Sequence, residues 1–199
     1  MSDQPVLTEI ADGILTITLN RPAAKNAANK ALAEGVAAAI DELESNPELR
    51  VAILTISCDL IVAADDSKFG IPEVKRGLAA GAGGLAKLPK QIPPRIAKEL
   101  ALTGDFISAQ RAYDLGLINQ VVPSGTALQA AKELAQRIAA NGPLAVAASK
   151  QVVDQAQDWS SDDMFARQNV ILQPIFTSED AIEGATAFAE KRAPQWKGR

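Results

Sequence analysis

From Val51 to Ala64 the chain runs for 14 residues without a glycine, proline or asparagine. The first part, Val51-Ala52-Ile53-Leu54-Thr55-Ile56, has the continuous apolar character of a fully buried strand in a parallel sheet. Such strands seldom exceed about ten residues, and a strand must be followed by a turn or a crossover before its neighbour can pair. Ser57-Cys58-Asp59-Leu60 reads as the tail of a helix and Ile61-Val62-Ala63-Ala64 as the next short strand. Ile56 and Ser57 therefore read as two ends that are not neighbours in a parent chain. Either an internal segment has been deleted from the protein, or the protein has one there that the sequence as written omits, the numbering being closed over it.

The segments on either side obey ordinary rules. Val6 to Ile10, Asp12-Gly13 and Ile14 to Leu19 predict a β-hairpin, which Asn20-Arg21-Pro22 ends. Asn29 is placed to cap a helix whose inner face is Leu32, Val36, Ala39 or Ile40, and Leu43, and which Asn46-Pro47 stops. Pro93-Pro94 opens a helix that Gly104 closes; Ser108 caps a short helix that Gly116 stops, and Leu117 to Val122 is strand-like. Helices follow over Thr126–Ala140, with Leu128, Ala131, Leu134, Ala135 and Ile138 on one face, and over Leu144–Asp158 and Asp162–Phe176. Thr177-Ser178-Glu179-Asp180 opens a last helix with a face of Ile182, Ala185 and Phe188, ended by Pro194. Strands come first and helices last, which predicts an α/β core over residues 1–140 and a helical region over 141–199.

Composition removes several classes of function. Hydrophobic residues at 47% and charged residues at 22% give the balance of a globular protein rather than a disordered one. The formal charge of −4 and the absence of any basic run longer than two residues speak against nucleic acid or an anionic membrane as partner. No signal-like or membrane-spanning run is present, which predicts a cytoplasmic protein. Cys58 stands alone, so no internal disulfide forms and it reads as a small buried apolar side chain. The chain has no histidine, which removes Ser-His-Asp and Cys-His machinery and every histidine-ligated metal site. No metal and no cofactor are expected, and proton transfer falls to Glu, Asp, Lys, Tyr or bound water.

Among those groups Glu73 stands out, in Phe69-Gly70-Ile71-Pro72-Glu73-Val74. A lone carboxylate lies between Phe69, Ile71 and Val74, and apolar surroundings disfavour the charged form of a carboxyl group, which suits it to proton transfer. A plainer reading makes Pro72 the first residue of a short helix and Glu73 the acid that complements its positive end. Downstream, Gly81-Ala82-Gly83-Gly84-Leu85-Ala86 satisfies G-x-G-x-x-A, the pattern of a nicotinamide-binding turn. No apolar strand leads into Gly81, however, the helix after it has room only as far as Leu88 before Pro89, and Glu99 falls inside a helix.

Taken together the pieces resemble the crotonase superfamily, the enoyl-CoA hydratase/isomerase family. The matching features are Leu19-Asn20-Arg21-Pro22 with Lys25-Asn26-Ala27; Cys58 to Ala63 running into Phe69 to Glu73; and Gly81-Ala82-Gly83-Gly84. Leu102-Thr103-Gly104, Ala112, Gly116-Leu117-Ile118, Ser178-Glu179-Asp180, Glu183-Gly184, Phe188 and Glu190-Lys191-Arg192 continue the match. The resemblance implies a crotonase-like spiral of ββα turns with a C-terminal helical trimerisation region, assembling as a homotrimer or a dimer of trimers. It implies an acyl-CoA thioester as substrate, with coenzyme A part of the substrate rather than a cofactor. Two backbone N–H groups hold the enolate oxygen in that chemistry, and in hydratases two glutamates hold the water that is added. Glu73 falls on the second glutamate; isomerase relatives work with a single acid there.

The resemblance also says what the junction removes. Both oxyanion N–H groups and the first glutamate belong between the strand ending at Ile56 and Ser57-Cys58-Asp59. Coenzyme A contacts are implied near Ala24, Lys25 and Ala27, and from a neighbouring subunit's last helix at Phe188 and Lys191. From the residues alone, Lys25 and Lys191 read equally well as solvated lysines, and Phe188 as core packing on a periodic face. Three activities are compatible with these features: an enoyl-CoA hydratase, a Δ3-Δ2 enoyl-CoA isomerase, and a non-catalytic acyl-CoA binder without an oxyanion hole.

Overall fold

The computed structural model describes residues 4–24, 26, 29–54, 58–81 and 83–199. The junction at Ile56 and Ser57 lies outside them, as do Lys25, Ala27 and Ala82. The chain forms two compact units, one of Met1–Ile53 with Ala135–Arg199 and the other of Leu54–Leu134.

In the first unit the hairpin forms as predicted. Asp12 (φ 53) and Gly13 (φ 74) both take the left-handed conformation, which gives a two-residue turn the twist of the strands it joins. β1 (Val6–Ala11) and β2 (Ile14–Leu19) pair antiparallel, with Ala11 opposite Ile14 and Val6 opposite Leu19. The sheet is ordered β1-β2-β3. β2 is the middle strand, and Ile14, Leu15, Thr16, Ile17 and Leu19 along it are buried. The side chain of Asn29 accepts the N–H of Leu32 at 2.9 Å and starts α1 (Lys30–Ser45); Leu32 and Ala39 are its buried residues. β3 (Val51–Leu54) is half-buried along its length rather than fully buried, because it stands at the end of the strand order.

In the second unit Asp59 and Leu60 form a bend rather than a helix tail. Half-buried Cys58 directs its Sγ to the Leu54 carbonyl at 3.1 Å. Next come β4 (Val62–Ala64), β5 (Lys68–Phe69), a 3-10 helix over Pro72–Arg76, α2 (Gly84–Gln91), α3 (Pro94–Thr103), β6 (Ile107–Ser108), α4 (Ala109–Asp114) and β7 (Gln120–Val122). β4 and β7 run parallel, and β5 and β6 antiparallel. β7 is shorter than the predicted Leu117–Val122 strand because Leu117 and Ile118 pack into the apolar core. Asn119 instead grips Ile61, donating its N–H to the Ile61 carbonyl and accepting the Ile61 N–H on Oδ1, both at 2.8 Å.

Helix α2 continues past Pro89 to Gln91, further than predicted. Proline removes the bond to the carbonyl four residues back and crowds that carbonyl, yet the helix runs on and the Ile92 N–H donates to Leu88. Two apolar clusters fill this unit. Ala63, Ala109, Ala112 and Ile118 form one, and Ile92, Ala97 and Leu100 the other. Ile107 and Leu117 pack against both.

Helix α5 (Ala127–Ala139) contains the division between the units. It buries Ala135, while Leu128 of its predicted inner face is 52% exposed. α6 (Pro143–Ala156), α7 (Met164–Phe176) and α8 (Glu179–Glu190) follow in the first unit. Ser178 caps α8 as predicted, accepting the Ala181 N–H at 3.1 Å. Its predicted inner face is overturned, since Ile182 is 65% and Phe188 87% exposed. The buried residues are Asp180 and Ala187. The helix presents the opposite side because the chain after it folds back and occupies that side. No helix among the described residues is long and apolar enough to cross a membrane.

Candidate active site

The position of Glu73 follows from the strand before it. β5 carries Phe69 into the first apolar cluster of the second unit, and two residues later Ile71 packs into the second cluster. Between them the chain passes Gly70, where a Cβ would lie 2.8 Å from the Asp105 carbonyl and 2.9 Å from the Phe106 ring. Only glycine permits that approach. Pro72 then starts the 3-10 helix with its fixed φ and no N–H to leave unsatisfied, and Gly77, left-handed at φ 69, closes it.

Glu73 thus sits in the first turn of this short helix, as the plainer reading of the sequence has it. Its backbone carbonyl accepts the Leu78 N–H at 3.1 Å. Its side chain departs from that plainer reading. Oε2 is buried and has no hydrogen-bond partner among the described residues. A buried oxygen of this kind costs about 1–3 kcal/mol to leave unsatisfied, so its presence calls for an explanation beyond helix complementation. The helix around it is tied down by Lys75, whose Nζ lies 2.6 Å from Asp105 Oδ1. That contact holds the Asp105 carboxyl below its ordinary range.

Of the residues implied in coenzyme A binding, Lys25 and Ala27 lie outside the described residues. Ala24 is exposed at the end of a 3-10 helix over Pro22–Ala24. The loop after it is closed by Asn26, which entered the sequence reading only within the Lys25-Asn26-Ala27 motif. Asn26 is left-handed at φ 54, and its Oδ1 accepts the Arg21 N–H at 2.8 Å. The signal was in the residue type, because asparagine tolerates that conformation better than most.

Phe188 and Lys191 stand together at the C-terminal end of α8, where the Lys191 N–H donates to the Phe188 carbonyl at 3.3 Å. Phe188 does not pack into a core within this chain. Lys191, not Pro194, ends the helix, in a left-handed conformation at φ 54 and ψ 39. For a residue with a Cβ this costs about 1–2 kcal/mol relative to glycine. The side chain of Lys191 has no ion-pair or hydrogen-bond partner among the described residues.

The next residue is tied back to the helix. The Arg192 guanidinium forks onto Glu183, with Nη1 to Oε1 at 2.6 Å and Nη2 to Oε2 at 2.9 Å, and its Nε reaches Glu190 Oε2 at 2.6 Å. The chain beyond it forms a strap. Trp196 Nε1 donates to the Ala140 carbonyl at 2.8 Å, and its ring covers Gly184, where a Cβ would come within 3.2 Å. The N–H groups of Lys197 and Gly198 donate to buried Asp180 at 2.7 and 3.0 Å. The Gln195 N–H donates to Glu183 at 2.7 Å.

Arg192 first, and then the Gln195 N–H, hold the Glu183 carboxyl down from 4.5 to about 2. Lys197 and Arg199 lower Glu179 in the same sense. A carboxyl depressed in the folded chain contributes stability above its unfolded value, and that contribution is lost as pH falls through the folded value. The strap is therefore expected to stay docked at pH 5 and to release between about pH 4.5 and 2. Trp196 emission in a Trp159→Phe background reads this directly. Glu183→Gln should remove that acid transition, and its persistence unchanged would detach Glu183 from the strap.

The glycine cluster at Gly81 follows a 3-10 helix rather than a strand, and α2 begins only at Gly84. A dinucleotide-binding turn requires a strand leading into it. Among the described residues no group of three or more His, Cys, Asp or Glu is placed to hold a metal ion.

Comparison with known proteins bears on these features together. A family model described as Enoyl-CoA hydratase/isomerase matches residues 9–57 and 54–199. The chain belongs to the enoyl-CoA hydratase/isomerase family. The match comes in two pieces that meet over residues 54–57, where the unbroken run from Val51 to Ala64 places the junction. The crystal structure of enoyl-CoA hydratase from Mycobacterium tuberculosis H37Rv superposes with a TM-score of 0.96 at 45% identity, covering 99% of this chain and 100% of that one. A probable enoyl-CoA hydratase/isomerase from Mycobacterium abscessus gives 0.94 at 44% identity, covering all of both chains. The α/β fold is thus the crotonase type. Among curated proteins, carnitinyl-CoA dehydratase of Salmonella typhi is 39% identical over 150 residues, 73% of this chain. The chain spans 58% of the length of that relative.

Proposed function

We propose that this family member is built for enoyl-CoA hydratase chemistry, adding water across the α,β double bond of an acyl-CoA thioester, with Glu73 as the proton carrier. The observation that carries the reading is the buried, partnerless Oε2 of Glu73. An oxygen left in that state in the free protein has a vacant hydrogen-bonding valence for a water or a substrate proton. The enolate oxygen still needs two N–H donors, which the resemblance assigns to a segment between Ile56 and Ser57. Turnover therefore belongs to a form of the protein that carries that segment, and the polypeptide of 20.9 kDa retains the acid without the oxyanion donors.

The carnitinyl-CoA dehydratase relatives support a second reading of the same site. Hydration and dehydration are opposite directions of one reaction, so the name of those relatives shifts the substrate and not the chemistry. A panel of crotonyl-CoA, a 3-enoyl-CoA and carnitinyl-CoA, given to the segment-bearing form, separates the possibilities. Loss of conjugated absorbance from crotonyl-CoA supports the hydratase. Turnover of carnitinyl-CoA alone moves the assignment to the dehydratase, and of the 3-enoyl thioester alone to an isomerase.

We further propose a homo-oligomer, a trimer or a pair of trimers, assembled through α7 and α8. The exposure of Phe165 at 67%, Val170 at 75%, Phe176 at 75% and Ile182 at 65% supports it. Monomeric proteins rarely leave so many large apolar side chains on adjacent elements in water. Phe188 and Lys191 would then meet the coenzyme A portion of a neighbouring subunit's substrate.

A further inference from the structure

Glu73 rides on a weak element. Its 3-10 helix runs only over Pro72–Arg76, and hydrogen bonds in such turns are poorly aligned. The buried Oε2, partnerless among the described residues, gains by swinging out to water. A contact from outside the helix therefore has to hold it in place. The segment that touches the helix is Gly104-Asp105-Phe106, between α3 and β6 of the same unit, and it is anchored at both ends. The Gly104 N–H donates to the carbonyl of buried Leu100 at 3.0 Å, and Thr103 Oγ1 accepts the Asp105 N–H at 3.2 Å. On the far side Ile107 and Ser108 pair with Phe69 and Lys68. From this footing the segment grips the chain on either side of the acid. Before Glu73, the Asp105 carbonyl and the Phe106 ring close on Gly70, at 2.8 and 2.9 Å from where a Cβ would lie. After it, left-handed Gly104 meets Val74 Cγ2 and Lys75 Cγ, which would lie 3.0 and 3.1 Å from a Cβ there, and the Asp105 carboxylate takes Lys75 Nζ at 2.6 Å.

We infer that Gly104-Asp105-Phe106 is a clamp that fixes the orientation of Glu73, and that Asp105 is a positioning residue acting through Lys75. The inference rests on the reading of Glu73 as the proton carrier and adds what aims it. An ion pair whose side chains are 51% and 68% exposed contributes little to global stability. Its leverage is local, because the helix it ties has so little bonding of its own.

Two measurements test the clamp. Amide exchange in the 199-residue chain reads the opening of the helix at Leu78, whose N–H donates to the Glu73 carbonyl. Hydration of crotonyl-CoA by the segment-bearing form reads the aim of the acid. Asp105→Asn is expected to speed Leu78 exchange about fivefold and to lower kcat by a similar factor at unchanged KM, with Tm and exchange at Leu15 of β2 as in the parent. Salt screens an exposed pair, so the parent kcat should fall toward the Asp105→Asn value as salt is added, while that of the variant stays flat. A pair with a merely structural role gives no such convergence. Gly104→Ala, which pushes Val74 and Lys75 aside, should lower kcat roughly tenfold or more. Parent exchange and parent kcat in both variants would overturn the clamp, as would a rise in KM in place of the loss in kcat. Turnover that survives Glu73→Gln overturns the reading of the acid instead, and is seen in a variant that leaves the clamp intact.

Discussion

Glu73→Gln is expected to slow hydration of crotonyl-CoA by the segment-bearing form roughly 10²- to 10⁴-fold, the range a positioned acid or base contributes. The fall should be in kcat with KM little changed, because Glu73 acts on the proton in flight and not on the coenzyme. Glutamine keeps the volume of the side chain and the 3-10 helix over Pro72–Arg76. It leaves an amide that can neither take nor give the proton. It also removes a buried carboxylate oxygen that has no partner among the described residues, so the variant should be no less stable than the parent. Unimpaired turnover would remove Glu73 from the mechanism, and a collapse in Tm would return it to a purely structural role.

The second large effect concerns assembly. Val170→Asp with Phe176→Asp is expected to convert the oligomer to species of 20.9 kDa in sedimentation. Burying each such side chain contributes about 1.5–3 kcal/mol, so losing two removes roughly 3–6 kcal/mol per protomer. At about 1.4 kcal/mol per tenfold, association weakens by two to four orders of magnitude before the added cost of desolvating the carboxylates. Neither position is buried within the chain, at 75% exposure each, so the protomer should remain folded. A wild-type protein that sediments as a monomer would contradict the assembly.

What the sequence disclosed follows from the range of the interactions involved. Asn29, Ser108 and Ser178 announce helix starts because a cap is made with the third residue onward, and Asp12-Gly13 announces its turn because the φ values belong to those residues alone. Glu73 was legible as a lone acid among apolar neighbours, and the structure adds the unsatisfied oxygen that no spacing rule could supply. The outward-facing stripe of α8 was misread because its inner side is set by Trp196, Lys197 and Gly198, which return to the helix from beyond its end. The early stop at Lys191 was hidden for the same reason. A left-handed lysine is improbable on local preference, and the contacts beside it are not local, since Arg192 reaches Glu183, nine residues back along the chain. The half-burial of β3 likewise depends on strand order, which an apolar run does not encode.

The claim on which the functional reading rests is a division of labour, with the acid at Glu73 in this polypeptide and the oxyanion donors in a segment that belongs between Ile56 and Ser57. The most direct measurement is the absorbance of the conjugated thioester when crotonyl-CoA is mixed with the purified 199-residue chain, its mass verified at 20.9 kDa. The account predicts no enzymatic loss of that absorbance, and loss sensitive to Glu73→Gln once the segment is restored. Steady hydration by the short chain would contradict it, since the enolate would then be stabilised by groups this account does not assign.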